Sequence, residues 1–222
     1  MKYLLLFIPF FLHFGRFLEN TKLIELNSGN AEVIHILESS RYDNIFNLII
    51  SLFITYLLLK KIKSSNNIKK NIINAIFIMY INELYILVSY IYISRLFEPM
   101  ISEPYILPGA LNLIPFKNIS LIFYSKSTFI QVVGNALLLS PLAFFIHYYK
   151  WHNNYRKTFL TLFGLIAIIE CTQFIQTYIN SMYSTDIIKS FDIDDFILNS
   201  ISIIIGLNLY KFYYNFNKYF DK

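Results

Sequence analysis

The sequence contains few of the residues from which soluble enzymes usually build a site. Cys171 is the only cysteine among 222 residues, so no disulfide forms within the chain. The four histidines show no metal-ligand spacing, which predicts no histidine metal site. No GxSxG, HExxH or phosphate-loop motif occurs, and no nucleophile is paired with a base in a recognisable pattern. We therefore predict no cofactor and assign no catalytic residue from motifs.

Charged residues are also scarce. They make up 15% of the chain, against 56% hydrophobic and 18% aromatic residues, and the mean hydropathy is +0.49. That balance is too apolar for a soluble fold of this size. The net charge of +5 is not gathered into a basic patch interleaved with aromatic residues, which excludes nucleic acid as the expected partner. The composition predicts a membrane protein whose main partner is the lipid bilayer.

Apolar runs of membrane-spanning length recur along the chain and predict an all-α, polytopic transmembrane helix bundle of about six spans. The predicted spans are residues 3–18, 44–59, 72–93, 129–149, 158–179 and 193–213. The last four are near the ~20 residues that cross a ~30 Å hydrocarbon core, and the first two are shorter. If residues 3–18 lie in the interface, five spans remain. The charged residues 19–43 predict an exposed loop between the first two spans, with room for a short amphipathic helix.

The distribution of basic residues predicts the orientation. With the lysine-rich linker 60–70 in the cytoplasm, the inside segments hold twelve of the nineteen basic residues and one of the fourteen acidic ones. Such an excess of Lys and Arg sets topology and places both termini in the cytoplasm. We expect an N-terminal two-span extension at 1–71 with a charged external loop, a main transmembrane domain at 72–213, and a cytoplasmic tail at 214–222.

An acidic segment, FDIDDFILN at residues 191–199, opens the last span. On a helix, Asp192, Asp195 and Asn199 share one face, which Ser202 and Gly206 continue. Ionisable groups at membrane depth are costly, so they usually mark a site or a paired contact. This segment is therefore the first candidate for function.

Polar side chains of two other spans lie at a similar depth. Glu170 and Gln173 belong to the fifth predicted span and Asn135 to the fourth. At ~1.5 Å per residue, these three and Asn199 lie about 8 to 12 Å below the outer boundary of a ~30 Å core. The pattern predicts a pocket that opens outward. Its expected ligand-binding residues are Asn112, Asn135, Glu170, Gln173, Lys189, Asp192, Asp194, Asp195 and Asn199.

Structural explanations stand beside the functional one. The amides are also the ordinary hydrogen-bond donors and acceptors between membrane helices. Asp192 and Asp194 also suit the N-terminus of a helix, through capping and the helix dipole. Pro141 is expected to interrupt the fourth span and to free a carbonyl one turn earlier.

The order of the motifs resembles a known family. LNLIPFKNI contains Asn112, GNALLLSPLAFF contains Asn135 and Pro141, IECTQF contains Glu170 and Gln173, and FDIDDFILN is followed by Gly206. Together, over about residues 72–213, they resemble the VanZ-like family. The resemblance implies a bacterial, multi-pass protein of the cytoplasmic membrane that is associated with resistance to the glycopeptide teicoplanin. Lys189 stands where that family often has an arginine.

Three functions remain open from the sequence. The first is a binding or transport-like protein whose acidic and amide pocket holds a cation, a polar head group, or a lipid-like or glycopeptide ligand. The second is an enzyme acting on a lipid-linked or cell-wall precursor, with Glu170, Asp192 and Asp195 as catalytic candidates, and with Asp192, Asp194 and Asp195 as ligands of any metal. The third is an interaction protein in which the polar residues only fix helix packing. The sequence indicates no oligomeric state.

Overall fold

The computed structural model describes residues 2–26, 31–62, 67–185, 187 and 189–220. These residues form seven α-helices, three short 3-10 helices and one pair of two-residue strands. The helices are α1 Phe7–Leu26, α2 Ala31–Lys61, α3 Ile68–Ser89, α4 Lys126–Leu138, α5 Ser140–Tyr148, α6 Tyr155–Asn180 and α7 Ile193–Phe220. The strands are β1 Leu111–Asn112 and β2 Phe191–Asp192, and the 3-10 helices are Lys2–Leu6, Ile93–Phe97 and Ile119–Leu121.

Five helical segments are long and apolar enough to cross a membrane, which confirms the predicted polytopic helical fold. They are Ser40–Lys61, Ile68–Ser89, Lys126–Tyr148, Tyr155–Asn180 and Ile193–Tyr219. A shorter apolar helical segment, Tyr3–Leu18, precedes them. Many large apolar side chains on these helices are exposed, as expected for surfaces that contact lipid.

The connection between the first two predicted spans differs from the expected loop. α1 continues to Leu26 and α2 already begins at Ala31, so most of residues 19–43 are helical. The physical reason is local, because Ala, Glu and Leu make up half of residues 31–38 and favour helix. Residues 27–30 of the expected loop lie outside the described residues.

The ends of α2 and α3 follow ordinary helix chemistry. Lys60 and Lys61 lie in the last turn of α2, where the helix dipole favours cations. Asn67 caps α3 by accepting a hydrogen bond from the backbone N–H of Lys69, at 2.9 Å. The middle of the lysine-rich linker, residues 63–66, lies outside the described part of the chain.

The chain divides into two compact units, Met1–Ile101 and Ser102–Lys222. In the first unit, α2 packs against α1, α3 and the 3-10 helix Ile93–Phe97. In the second unit, α7 packs against α4, α5 and α6, and the strand pair joins the chain near residue 111 to the start of α7. The polar residues of the main candidate site belong to the second unit.

The fourth span is interrupted where Pro141 predicted. α4 ends at Leu138 and α5 starts at Ser140, with Pro141 in its first turn. Proline has no N–H, so the carbonyl of Leu137 loses its usual helical donor. The Ser140 hydroxyl donates to that carbonyl instead, at 2.8 Å. The break is therefore satisfied within the chain.

α7 stabilises the other side of this break. The backbone N–H of Leu139 donates to the Ser202 hydroxyl at 2.8 Å. One turn further along α7, Gly206 packs directly against Ser140, and a Cβ added at Gly206 would lie 2.1 Å from the Ser140 carbonyl oxygen. Ser202 and Gly206 are thus two residues through which α7 contacts the break between α4 and α5.

Replacing Ser202 with alanine is expected to lower the free energy of unfolding by about 1 kcal/mol, because the buried N–H of Leu139 then loses its acceptor. The thermal midpoint in detergent, followed by fluorescence-detected size-exclusion chromatography, measures the change. Ser200→Ala is the matched control, since within the described part of the chain the Ser200 hydroxyl bonds only to its own helix, at the carbonyl of Phe196 at 2.8 Å. Equal midpoints for the two variants would contradict the role of Ser202.

Candidate functional site

A short parallel strand pair brings distant residues together at the start of α7. Leu111 pairs with Phe191 and Asn112 pairs with Asp192. The backbone N–H of Phe191 also donates to the carbonyl of Ala110 at 2.9 Å. The pairing holds residues 112–119, here called the 112–119 loop, against the N-terminus of α7.

Asp192 is buried and accepts hydrogen bonds from both sides of this junction. Asn112 Nδ2 donates to its Oδ1 at 2.9 Å, and Asn118 Nδ2 donates to its Oδ2. The backbone N–H of Asp194 also donates to Asp192 Oδ1, at 2.9 Å, which caps the first turn of α7. Asp192 therefore joins the 112–119 loop to the helix.

Asp194 is equally buried and accepts from the backbone of the same loop. Its carboxylate receives the N–H groups of Phe116, Asn118 at 2.7 Å and Ile119 at 3.2 Å. Phe116 has a φ of 65°, the left-handed conformation that turns successive N–H groups toward one point. The loop thus forms a nest of N–H donors around an anion that the chain itself supplies. Asp192 and Asp194 are called the loop anchor below.

Glu170 lies beneath the loop anchor and is almost fully buried at 1% exposure. Its Oε2 accepts the backbone N–H of Asp192 at 3.3 Å. It interacts electrostatically with Asp192, Asp195 and Lys189. The structure therefore brings Glu170 of α6 to the acidic start of α7.

Asp195 connects α7 to the fourth span. Asn135 of α4 donates from Nδ2 to Asp195 Oδ1. One turn along the same face of α7, Asn199 is 6% exposed, and its Oδ1 has no hydrogen-bond partner among the described residues. A buried amide oxygen without a donor is costly, so a hydrogen-bond donor placed at this atom would be stabilising. Glu170, Asp195 and Asn199 are called the acceptor cluster.

The remaining predicted residues border this cluster. Gln173 is buried on α6, one turn after Glu170. Thr177 accepts the backbone N–H of Lys189 at 3.0 Å, and its hydroxyl donates to the Lys189 carbonyl. The segment before β2 is thereby fixed to α6, and the Lys189 side chain, which is exposed, interacts electrostatically with Glu170 and Asp195.

The chemistry of the site is that of hydrogen-bond acceptors. The acceptor cluster offers two carboxyl groups and one amide oxygen, all of which suit a ligand that carries N–H donors or positive charge. Within the described residues, no three His, Cys, Asp or Glu side chains have an arrangement that suits a metal ion. The carboxylates of Asp192 and Asp194, two of the three candidate metal ligands, are occupied by N–H donors of the protein.

Comparison with known families covers the part of the chain that contains these residues. The model of the VanZ/LLP1 family matches residues 72–214. The chain belongs to the VanZ/LLP1 family. The matched region runs from within α3 to residue 214 of α7, and it includes the loop anchor and the acceptor cluster. Since five helices among the described residues are long and apolar enough to cross a membrane, this VanZ/LLP1 chain is a membrane protein. No curated protein and no solved structure matches it.

Sequence reasoning missed one important group of this VanZ/LLP1 site, the donors of the 112–119 loop. Asn118 and the backbone N–H groups of Phe116 and Ile119 hold the loop anchor in place. The motif LNLIPFKNI contains these residues, but the polar KNIS stretch after Phe116 is too short and too common to indicate an anion nest. The Asp-x-Asp spacing at residues 192–194 showed the acids but not the direction of their hydrogen bonds.

Proposed function

We propose that this protein is a binding protein of the cell envelope, in which the acceptor cluster holds the positively charged or N–H-bearing head group of a lipid-like ligand. The unpartnered Oδ1 of Asn199 is the observation that carries the proposal. It is buried one turn below Asp195, on the face that carries the acidic start of α7. A ligand donor at this position would satisfy that oxygen and reduce the repulsion between the carboxyl groups.

The charges near the cluster favour a cationic group. Glu170, Asp192 and Asp195 interact electrostatically, and all three carry carboxyl groups. The cation in the same interactions is Lys189, whose side chain is exposed. A buried group of acids in a membrane-spanning domain is stabilised by a positive partner. A primary ammonium or another compact cationic head group supplies one.

The polar residues divide into two groups with different roles. The loop anchor has its oxygens filled by the 112–119 loop, which supports a structural role for Asp192 and Asp194. The acceptor cluster lies deeper and includes an oxygen that no described group satisfies. Binding is therefore assigned to Glu170, Asp195 and Asn199, and not to the whole acidic segment. This division also weighs against the metal-dependent enzyme, which needs the same Asp192 and Asp194 oxygens.

The orientation and the biological role are part of the proposal. The excess of Lys and Arg in the segments expected inside supports an acceptor cluster in the outer leaflet of a bacterial cytoplasmic membrane. Teicoplanin resistance, which the VanZ-like resemblance implies, would then depend on ligand capture at that face of the membrane.

Glu170→Gln and Asp195→Asn are expected to remove the function while the fold persists, because each substitution keeps the size of the side chain and removes one negative charge. Teicoplanin susceptibility of cells that express each variant at matched levels is the activity measurement. The thermal midpoint in detergent is the fold measurement. We expect susceptibility to rise to that of cells without the protein, with the midpoint near that of the parent.

Glu103→Gln is the matched control for charge, since Glu103 is an exposed acid of the same unit. A loss of stability in step with the loss of resistance would assign Glu170 and Asp195 to scaffolding. Full resistance in both variants at matched expression would remove the acceptor cluster from the function.

A further inference from the structure

A groove lies between the first turn of α6 and the second half of α7, at the end of the second unit away from the acceptor cluster. It has a volume of about 290 Å³ and is lined by Tyr155, Ile204, Leu207, Asn208 and Lys211. The four lining residues of α7 recur at intervals of three and four, so they lie along one side of that helix. These five residues are called the lateral groove.

The lateral groove changes from apolar to polar along its length. Ile204 and Leu207 form its apolar part, and Asn208 and Lys211 form its polar part. At ~1.5 Å per residue, Ile204 lies about 17 Å and Lys211 about 27 Å from the start of α7. The groove therefore runs from the middle of a ~30 Å core that begins with α7 toward the far boundary of that core. A molecule that fits it has an apolar chain at one end and a polar head group at the other.

The polar part of the lateral groove offers donors that no described residue engages. The Lys211 side chain is exposed and makes no ion pair or hydrogen bond with a described residue. The Tyr155 hydroxyl has no hydrogen-bond partner in the described part of the chain, while its ring stacks on His147 with the centroids 4.5 Å apart. An ammonium and a phenolic hydroxyl at one site suit an anion with several acceptor oxygens, such as a phosphate.

The charges around the lateral groove are positive. Arg156 and Lys157 follow Tyr155 in the first turn of α6, and Lys150 precedes that turn; all three side chains are exposed. The sequence contains no acidic residue from 126 to 169 or from 196 to 220, which are the segments that build this end of the unit. A basic groove without acidic neighbours attracts anions.

Aromatic residues indicate that this end lies at the membrane–water interface. Tyr149 stacks on Trp151 with the ring centroids 5.3 Å apart, and the Tyr210 ring lies 5.1 Å from that of His147. Tyr and Trp concentrate at membrane interfaces, where the ring contacts apolar chains and the polar atom reaches water. The polar part of the lateral groove is therefore expected at the level of the phospholipid phosphates.

We propose that the lateral groove binds an anionic phospholipid. The phosphate lies at Lys211 and Tyr155, and part of one acyl chain follows Ile204 and Leu207. An anionic lipid is favoured over a zwitterionic one because the surroundings supply positive charge and no negative charge. The volume is near the lower limit of about 300 Å³ for ligand sites, so the rest of the lipid lies in the surrounding bilayer.

The lateral groove is separate from the acceptor cluster. Lys211 lies about 24 Å along α7 from Asp195, at ~1.5 Å per residue. The two sites also have opposite chemistry, since the acceptor cluster offers oxygens to a donor and the lateral groove offers donors to an anion. The lipid site therefore does not depend on the function proposed for the acceptor cluster.

Native mass spectrometry of the full chain in detergent, after removal of co-purified lipid, tests the proposal. It measures the affinities for added phosphatidylglycerol and for phosphatidylcholine with the same acyl chains. We expect the first phosphatidylglycerol to bind several-fold more tightly than the first phosphatidylcholine, and equal affinities would overturn the preference for an anionic lipid. Inorganic phosphate lacks the acyl chain and should not displace phosphatidylglycerol. Displacement by millimolar phosphate would overturn a lipid as the ligand.

Lys211→Gln tests the head-group end, because it removes the ammonium group and keeps a long polar side chain. We expect the affinity for phosphatidylglycerol to fall several-fold, toward that for phosphatidylcholine. Lys218→Gln is the matched control, since Lys218 is an exposed lysine of the same helix that does not line the groove. An equal loss in the two variants would assign the preference to net charge and overturn the lateral groove as the site.

Ile204→Trp tests the chain end, because the larger side chain fills the apolar part of the groove without changing its charge. We expect binding of phosphatidylglycerol to weaken several-fold, with the thermal midpoint in detergent near that of the parent. Leu209→Trp is the control, since Leu209 is an exposed residue of α7 that does not line the groove. Unchanged binding in a folded Ile204→Trp protein would overturn the site. If Ile204→Trp does not fold, the comparison of Lys211→Gln with Lys218→Gln decides.

Discussion

Gly206→Ala is expected to lower the free energy of unfolding by about 3 kcal/mol or more, because the added methyl group cannot be accommodated without moving backbone. Its Cβ would lie 2.1 Å from the Ser140 carbonyl oxygen and 2.8 Å from the Ala143 side chain. The Ser140 backbone is fixed because Ser140 is the first residue of α5, at the break in the fourth span. Thermal midpoints from fluorescence-detected size-exclusion chromatography measure the effect. Dyes that react with thiols exposed on unfolding are unsuitable, because the single cysteine, Cys171, is already exposed in the folded protein.

Gly164→Ala is the control for this substitution. Gly164 lies within α6, and a Cβ added there meets nothing within 4 Å. Because alanine favours helix over glycine by up to about 1 kcal/mol, this variant is expected to match or exceed the parent in stability. If the midpoint of Gly206→Ala were similar to that of Gly164→Ala, the contact between α7 and the break would tolerate a side chain at Gly206.

Asp194→Ala is expected to lower the free energy of unfolding by about 2 to 4 kcal/mol, since three backbone N–H groups lose a charged acceptor at once. The loss is local in origin. Hydrogen–deuterium exchange should therefore show faster exchange in the 112–119 loop, at Phe116, Asn118 and Ile119, before any change in the first unit. Asp194→Asn keeps one acceptor oxygen and should give a smaller effect.

Glu103→Ala is the control for loss of an acid, because Glu103 is exposed in the same unit and its substitution is expected to change stability by no more than about 0.5 kcal/mol. If the 112–119 loop of Asp194→Ala exchanges no faster than that of Glu103→Ala, the N–H groups do not depend on this carboxylate. Asp194 would then be a candidate ligand-binding residue again.

Much of the fold follows from the sequence because the bilayer imposes strong rules on it. Apolar runs near 20 residues long predict spans, and five of the six predicted spans are described as helices long and apolar enough to cross a membrane, with a shorter helix for the first. Pro141 predicts a break because proline cannot donate to Leu137, and the break occurs there. The shared face of Asp195 and Asn199 depends only on helical periodicity, which the helix α7 preserves.

Other features leave no periodic signal in the sequence. The strand pair involves two residues on each side, and its partners are 80 residues apart. Ser51 and Thr55 are small side chains within an apolar run, and their burial depends on His13 and Asn82, which lie on other helices. The close contact at Gly206 likewise depends on how α7 meets the fourth span. Such features require the positions of neighbouring elements, which a single sequence does not supply.

The hydrogen bonds of the loop anchor also determine when the second unit is completed during synthesis. Asp192 and Asp194 bond to residues 74 to 80 positions earlier in the chain. The ribosome therefore synthesises the 112–119 loop, α4, α5 and α6 before Asp192 and Asp194, the residues that fix the loop. Contacts of such long sequence separation form late, because the loop between them must close first. Until α7 emerges, Glu170 and Asn135 lack their partners on β2 and α7, so the last helix of the unit is the one that completes the assembly of the earlier ones.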